Sequence, residues 1–405
     1  MTSIDRFALT IGAAALIAGC GALGAMPQQL GMTRGNTAVH GIVNGSSYRV
    51  LHSFGSGSDG AEPVAALTNM GGVLYSTTSY GGAYNHGTVF SITTKGEEQV
   101  LYSFGRRGSD GADPQASLID VDGTLYGTTY SGGGPQGFGT VYSVSATGKE
   151  RVLHRFTGGR DGAHPTAELL YVNGLFYGTT QDGGTSDLGT VYRVSTSGAE
   201  SVLHSFTGVT GRDGAHPHAG LINVDGTLYG TTTAGGKSKY SKGTVFIITT
   251  AGEERVLYSF TDYYYKGGAP YATLLDVKSR LYGTTALGGS YERGTIFSIN
   301  TNGRKERASY SFLDAYPEAG LIDVQGTLYG TTMRDGEYLD GTLYSLGAGK
   351  FQVLHDFGKT GYDGLFPSGE LIDVNHTLYG TTQEGGKYDH FSSASKAGTV
   401  FALRL

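Results

Sequence analysis

One phrase governs what this chain can fold into. L-Y-G-T-T begins at Leu74 (as LYSTT), Leu125, Phe176 (as FYGTT), Leu228, Leu281, Leu328 and Leu378, with successive spacings of 51, 51, 52, 53, 47 and 50 residues. Two more phrases keep step with it. G-T-[VIL]-[FY] starts at Gly87, Gly139, Gly189, Gly243, Gly294, Gly341 and Gly398; VLHSF or a variant starts at Val50, Val100, Val152, Val202, Val256, Ala308 and Val353. Pro63, Pro114, Pro165, Pro217, Pro270, Pro317 and Pro367 each stand twelve residues before the motif tyrosine. A unit of this length recurring seven times cannot bury its apolar face alone, so the chain must stack copies as a solenoid or a propeller.

Each period reads as four strands. Strand a follows the proline ("AELLYV"), a turn such as "VDGT" leads to strand b ("LYGTT"), a glycine loop leads to strand c ("GTVYSV"), and "TxGxE" turns into strand d ("RVLHRF"). Glycine fills 69 of the 405 positions and tyrosine 28, a balance of turn formers and strand formers. Past the first residues no segment shows a helical apolar period. Four antiparallel strands in about 50 residues make a propeller blade.

The order of phrases at the two ends distinguishes a ring from an open stack. The first phrase is a strand d (Arg49 to Phe54) and the last a strand c (Thr399 to Leu403). The opening strand therefore completes the final blade, which removes two bare sheet edges. A solenoid would need atypical caps at both ends, and none is visible. The expectation is an all-β, seven-bladed β-propeller over residues 48–405. Small residues two places after each proline (Ala65, Ala116, Ala167, Ala219, Ala272, Ala319, Gly369) suit strands converging on an axis, and the LYGTT glycine would allow close backbone approach between sheets.

The phrases GTLYGTT-x-x-GG, GTVF and VLHSF with DGAxP resemble the GloVer tandem-repeat family of bacterial secreted proteins, which are carried on varied surface anchors. The resemblance covers residues 49–405. It implies an exported β-propeller similar to kelch proteins and brings no catalytic residues with it. The sixth repeat departs most, with Ala308-Ser309-Tyr310 in strand d, "LDAYP" for DGAxP and Asp335-Gly336 for the paired glycines.

The amino end carries a separate signal. Arg6 and the apolar run Phe7 to Ala18 precede Leu16-Ile17-Ala18-Gly19-Cys20, which resembles a bacterial lipobox. The run is too short to span a bilayer and reads as a secretory segment. Residues 1–20 are expected to be a lipoprotein-type signal, with Cys20 as the lipid attachment site, and 21–47 a polar tether; an ordinary signal peptide cut near Ala25 is the alternative. The protein is thus expected in the cell envelope, or otherwise secreted. Cys20 is the only cysteine, so the mature domain holds no disulfide.

Several chemistries fall away. Gly132, Gly134 and Gly137 satisfy G-x-G-x-x-G, but they lie between strands b and c, whereas a dinucleotide loop must open a helix. The net charge of −6 and the lack of a basic block argue against nucleic acid. Tryptophan is absent, which excludes sialidase Asp-boxes, WD40 repeats and quinoprotein docking motifs; copper chemistry of the galactose-oxidase kind needs a thiol the mature domain lacks. His52, His154, His204 and His355 share a strand-d slot with Tyr102, Tyr258 and Tyr310, which suits a ring with a polar tip and not a metal ligand. Asp59, Asp110, Asp161, Asp213 and Asp363 in DGAxP read as turn residues. No cofactor, metal or catalytic residue is expected.

Function is sought where the repeats differ, on the face shared by the d–a and b–c loops. The residue before each proline reads Glu62, Asp113, His164, His216, Ala269, Tyr316 and Phe366, giving an acidic and imidazole arc, with His218 adjacent, opposite an aromatic half joined by Tyr263, Tyr264, Tyr265 and Tyr271. The b–c loops add Tyr80, Tyr84, Tyr130, Tyr240, Tyr291, Tyr338 and Tyr388. The candidate ligand set is Glu62, Asp113, His164, His216, His218, Tyr263, Tyr264, Tyr271 and Tyr316. This points to a monomeric binding or scaffold module for a surface glycan, peptide or envelope protein. The alternative is a polysaccharide hydrolase or lyase using carboxylates among Glu62, Asp113, Glu168, Glu318 and Glu370, of which the sequence selects no pair.

Overall fold

The computed structural model describes residues 47–55, 58–261, 267–304, 306–388 and 397–405. Cys20, the signal segment, all but the last residue of the tether, Tyr263 and Tyr264 lie outside the described residues. The described chain forms seven four-stranded antiparallel sheets arranged as a propeller ring. Blade 2 shows the plan: strands a (Ile119–Val121), b (Thr124–Thr129), c (Thr140–Ser145) and d (Glu150–Arg155) pair in that order. Strands a touch one another in chain order from blade 1 to blade 7 and form the inner wall. Among the described residues the one helix is the short Gly208–Gly211. The stretch with the G-x-G-x-x-G spacing opens no helix; Ser131–Gly132 instead pairs with Gly111–Ala112, tying a b–c loop to a d–a loop.

The motif residues are mostly devices for joining blades. Each VLHSF phenylalanine packs edge-on against the strand-c ring of the next blade, from Phe54–Phe90 (5.0 Å between centroids) through Phe104–Tyr142 and Phe260–Phe297 to Phe357–Phe401. Such pairs add about 1 kcal/mol each beyond the area they bury. The first LYGTT threonine crosses the same seam: Thr128 Oγ1 donates to Ala167 O at 3.2 Å and Thr381 Oγ1 to Ala65 O at 2.9 Å. The second threonine shares a hydrogen bond with the threonine of GT[VIL], as in Thr129–Thr140 at 2.8 Å. Each GT glycine meets the next blade's proline. A Cβ added to Gly398 would stand 2.5 Å from Pro63 Cδ, so the contact between blades 7 and 1 is the same as the other six.

Blade 7 is built from both ends of the described chain. Ser47–Ser53 pairs antiparallel with Thr399–Arg404, with Ser47 opposite Arg404 and Ser53 opposite Thr399, and supplies the outermost strand. One buried cluster joins Phe54, Leu67, Leu74 and Phe90 to Tyr379, Val400 and Ala402, uniting the first and last repeats.

The LYGTT glycine serves a different neighbour from the expected one. A Cβ on Gly127 would lie 2.8 Å from the Tyr142 hydroxyl oxygen and 2.9 Å from Leu118 Cδ2. A ring on strand c of the same blade covers this position; no second sheet backbone approaches it. That ring is tyrosine at 142, 192 and 344, where the buried hydroxyls have no hydrogen-bond partner. The same slot holds Phe90, Phe246, Phe297 and Phe401 elsewhere. Burying an unmatched hydroxyl costs about 1–3 kcal/mol. Tyr142→Phe, Tyr192→Phe and Tyr344→Phe together should therefore raise the melting temperature by a few degrees in calorimetry; a fall would mean the hydroxyls have partners.

The strand-d ring slot and the DGAxP aspartate explain each other. Nε2 of His52, His154, His204 and His355 stands 3.2, 3.4, 2.9 and 3.1 Å from Asp59, Asp161, Asp213 and Asp363. Tyr102 donates from its hydroxyl to Asp110 at 2.8 Å, and the same carboxylate accepts from the N–H groups of Gly105 and Gly111. The slot needs a flat ring that donates to a turn carboxylate, which either residue supplies.

Candidate functional site

In six of the seven blades the residue before the proline is held in an unusual backbone state. Glu62, Asp113, His164, His216, Ala269 and Phe366 all have φ between 51° and 56°. Left-handed backbone is rare outside glycine and is kept only where surroundings impose it. Here the N–H reaches the preceding blade (His164 N to Phe138 O, 2.9 Å; His216 N to Leu188 O, 2.8 Å) while the carbonyl accepts from the residue after LYGTT. The backbone is a clasp, and the side chain is left free to differ.

Those side chains divide into two groups. Glu62 is buried and accepts from Ser79 Oγ at 3.3 Å, and Asp113 accepts from Ser131 Oγ at 2.8 Å. His164 and His216, on neighbouring blades, are joined by a residue that sequence reasoning missed. Asp182 takes His164 Nδ1 at 2.9 Å on one oxygen and His216 Nδ1 at 3.3 Å on the other. His216 Nδ1 also faces Gln181 O at 3.1 Å. Since both neighbours are acceptors, Nδ1 carries the proton in the neutral ring and Nε2 is left as its acceptor nitrogen. Burial raises the Asp182 carboxyl, but hydrogen bonds from the two imidazoles outweigh it and hold the group well below the usual carboxylate range. The same bond raises His216 against the opposing effect of burial. The Tyr130 ring lies over His164 at 4.7 Å and 22°. The residue before each glycine pair varies freely (Tyr80, Ser131, Asp182, Ala234, Leu287), and that variability was the available signal.

The remaining candidates fall elsewhere. Arg293 donates to the Tyr316 hydroxyl, with its guanidinium 5.5 Å from the ring centroid. His218 and Tyr271 follow their prolines directly and meet edge-on at 5.1 Å; burial lowers His218 to about 4, so it is neutral at physiological pH. Four b–c loop tyrosines stand well out of the rim: Tyr84, Tyr240, Tyr291 and Tyr338, exposed by 46, 68, 55 and 39%. A cleft of about 600 Å³ opens at the other end of the blades, between blades 6 and 7, lined in part by Tyr329, Leu354 and Leu403.

One group of three, His204, Asp213 and Glu254, converges closely enough to hold a metal ion among the described residues. Its pattern recurs at other seams as His52–Asp59–Glu98 and, with a phenol for the imidazole, Tyr102–Asp110–Glu150. Phenol and imidazole exchange because the aspartate needs a donor, so the pattern is architecture. No helix among the described residues is long and apolar enough to cross a membrane.

Comparison with known proteins agrees with the ring. Oligogalacturonate lyase from Vibrio parahaemolyticus aligns at 11% identity over 88% of this chain and 93% of that one, with a TM-score of 0.56. An oligogalacturonate lyase in complex with manganese aligns at 13% over 89% and 96%, TM-score 0.53. The extracellular domain of a protein classed provisionally as a one-component system of B. thetaiotaomicron aligns at 10% over 86% of this chain and 39% of its own length, TM-score 0.56. At such identities the likeness is one of fold alone. No curated protein matches the chain. A profile of the Gloeobacter/Verrucomicrobia repeat matches residues 13–240 and 209–401, and the chain belongs to that repeat family.

Proposed function

We propose that this protein is an exported, lipid-anchored propeller whose d–a and b–c loop face binds a surface glycan. The observation that carries the reading is the set of exposed loop tyrosines. Tyr84, Tyr240, Tyr291 and Tyr338 occupy corresponding loops of four blades, and each presents a ring to solvent where packing does not require it. Rings with one apolar face and a polar tip suit the stacked faces and hydroxyls of a sugar chain. The imidazoles of His164 and His216, held by Asp182, add polar groups to the same face on blades 3 and 4. Export and anchoring rest on the apolar run ending at Cys20 and on the family.

A panel of envelope polysaccharides, peptides and outer-membrane extracts, presented to the full-length protein, tests this. Retention of one polysaccharide should fall about a hundredfold in Tyr240→Ala/Tyr291→Ala/Tyr338→Ala, since each lost stacking platform removes about 1 kcal/mol. Fatty-acid labelling should vanish in Cys20→Ala. Retention of a peptide or envelope protein instead would replace the glycan reading. New reducing ends, lost on a single carboxylate-to-amide change, would make the protein the hydrolase or lyase that fold likeness alone cannot establish.

A further inference from the structure

The d–a loops that lead into blades 2, 3 and 4 hold arginine and aspartate side by side, so their charges cancel in the sequence. Arg106 and Arg107 precede Asp110, while Arg160 and Arg212 stand directly before Asp161 and Asp213. The structure separates the two signs. Each carboxylate is committed to inward donors: Tyr102 and the Gly111 N–H at Asp110, His154 and the Thr157 N–H at Asp161, His204 and the Gly214 N–H at Asp213. The four arginines are exposed, as is Arg155 at the loop end of strand d in blade 2. None of the five forms an ion pair with a described residue.

These loops are joined into one continuous stretch of the face. Arg155 Nε donates to Ser109 O at 3.0 Å, which fixes it against the loop of Arg106 and Arg107. That loop pairs through Gly111–Ala112 with Ser131–Gly132 in the b–c loop of blade 2. From there the Tyr130 ring lies over His164, in the loop of Arg160. Asp182 then takes His164 on one oxygen and His216, in the loop of Arg212, on the other. Lys239 carries the positive charge on to the exposed Tyr240, its Nζ 5.0 Å from the ring centroid. The far side of the ring is different. The position of Arg155 holds serine in five blades and Asp356 in blade 6. Arg293 stands 3.6 Å from Asp314, and the Arg334 guanidinium lies over the Phe366 ring.

We propose that the glycan bound at this face is a uronic-acid polymer whose carboxylates are taken by Arg106, Arg107, Arg155, Arg160 and Arg212; this rests on the glycan reading above. No exposed large apolar side chain among the described residues lies between Tyr84 of blade 1 and Val209. A sugar chain running from the Tyr84 ring to the Tyr240 ring therefore crosses blades 2 and 3 over guanidinium groups. A guanidinium binds a planar carboxylate through two parallel N–H bonds and keeps its charge at every physiological pH. A polymer with one carboxylate per sugar matches a row of cations spaced from loop to loop, whereas a neutral glycan leaves them without partners. The net charge of −6 confines the attraction to this stretch, which disfavours a nucleic acid bound mainly through its backbone charge.

The full-length protein is presented with alginate, polygalacturonate and hyaluronate, each beside its carboxyl-reduced form, which keeps the chain and loses the charge. At least one uronate polymer should be held at least about tenfold more tightly than its reduced form, and less tightly as salt screens the exposed charges. Arg106→Gln/Arg107→Gln/Arg160→Gln/Arg212→Gln should weaken that retention at least about tenfold without changing the melting temperature, since all four side chains are exposed. Arg155→Gln alone should weaken it several-fold, which keeps the inference testable if the quadruple variant folds poorly. Arg304→Gln, on an exposed c–d turn at the opposite end of the blades, should leave retention intact. Retention of none of the three polymers, equal retention of a polymer and its reduced form, no effect of the arginine variants, or duplex DNA held as tightly as the best uronate polymer would overturn the inference. Retention that survives Tyr240→Ala/Tyr291→Ala/Tyr338→Ala would count against the glycan reading itself, whereas tyrosine-dependent retention that ignores the carboxylates would sink this inference alone.

Discussion

A chain lacking residues 1–54 should fail to yield a soluble, cooperatively melting propeller, whereas a chain lacking only residues 1–44 should melt within about 2 °C of the full-length protein. The longer deletion removes the outermost strand of blade 7 and leaves Thr399–Arg404 as an unpaired edge. It also removes Phe54, which is fully buried, and with it the edge-on contact to Phe90 across the seam to blade 1. Tyr48 goes too; its ring stacks on His355 at 3.5 Å and 10° and so ties the same strand to blade 6. Truncating one buried phenylalanine costs about 3–5 kcal/mol, and a domain is stable by only about 5–15 kcal/mol. Losing a whole strand with two seam contacts exceeds that margin, and the bare edge offers a template for aggregation. Gel filtration and calorimetry of the two truncations decide it. Equal melting of both would mean that the amino-terminal strand does not hold the ring together.

What the sequence disclosed, and what it withheld, follows from repetition. Any contact made in every blade is written seven times, so the strand order, the seam prolines and the d-strand ring slot were all legible. The blade-7 strand exchange was legible as well, because the phrases run d-first and c-last. Contacts made once are not. Asp182 lies 18 residues from His164 and 34 from His216 in the chain, and nothing in a single blade shows that its two oxygens meet both rings. The five candidate carboxylates looked equivalent in the sequence. Only the structure shows Glu62 set against one serine hydroxyl and Asp113 against another. The LYGTT glycine was misread for a related reason. Its neighbour is the strand-c ring of its own blade, a pairing fixed by sheet register and invisible in a linear motif.

The seam glutamates lead to the second large effect, a loss of stability on the alkaline side of neutrality. Glu98, Glu150, Glu200 and Glu254 begin strand d and pack against the His–Asp or Tyr–Asp pair of the blade before. Burial, followed by the nearby aspartate, raises each carboxyl to about 7, although His52 and His204 partly oppose this at Glu98 and Glu254. One oxygen of each is buried without a hydrogen-bond partner, as expected of a group that prefers to carry its proton. Burial lifts Glu168 and Glu318 to about 7 and Glu370 to about 8. All seven have folded-state values above the unfolded one. Their contribution to stability is therefore fully present below the unfolded value and is lost as pH rises through 7 to 8. The acid limit comes from other groups. His154 and His218 are lowered by burial and become costly once protons bind them, and Asp59 and Asp182 lose their imidazole hydrogen bonds when protonated. Stability should therefore be highest near pH 5 and fall by several kcal/mol by pH 8.5, allowing about 1 kcal/mol per partly exposed seam carboxyl after solvent screening. Melting curves from pH 4 to 9 would measure it. The quadruple variant Glu98→Gln/Glu150→Gln/Glu200→Gln/Glu254→Gln should match the parent at pH 5.5 and melt clearly above it at pH 8.5, because an amide fills the slot without ionising. A melting temperature that climbs from pH 5.5 to 8.5, or a quadruple variant less stable than the parent at pH 8.5, would show that the seams hold these carboxylates charged.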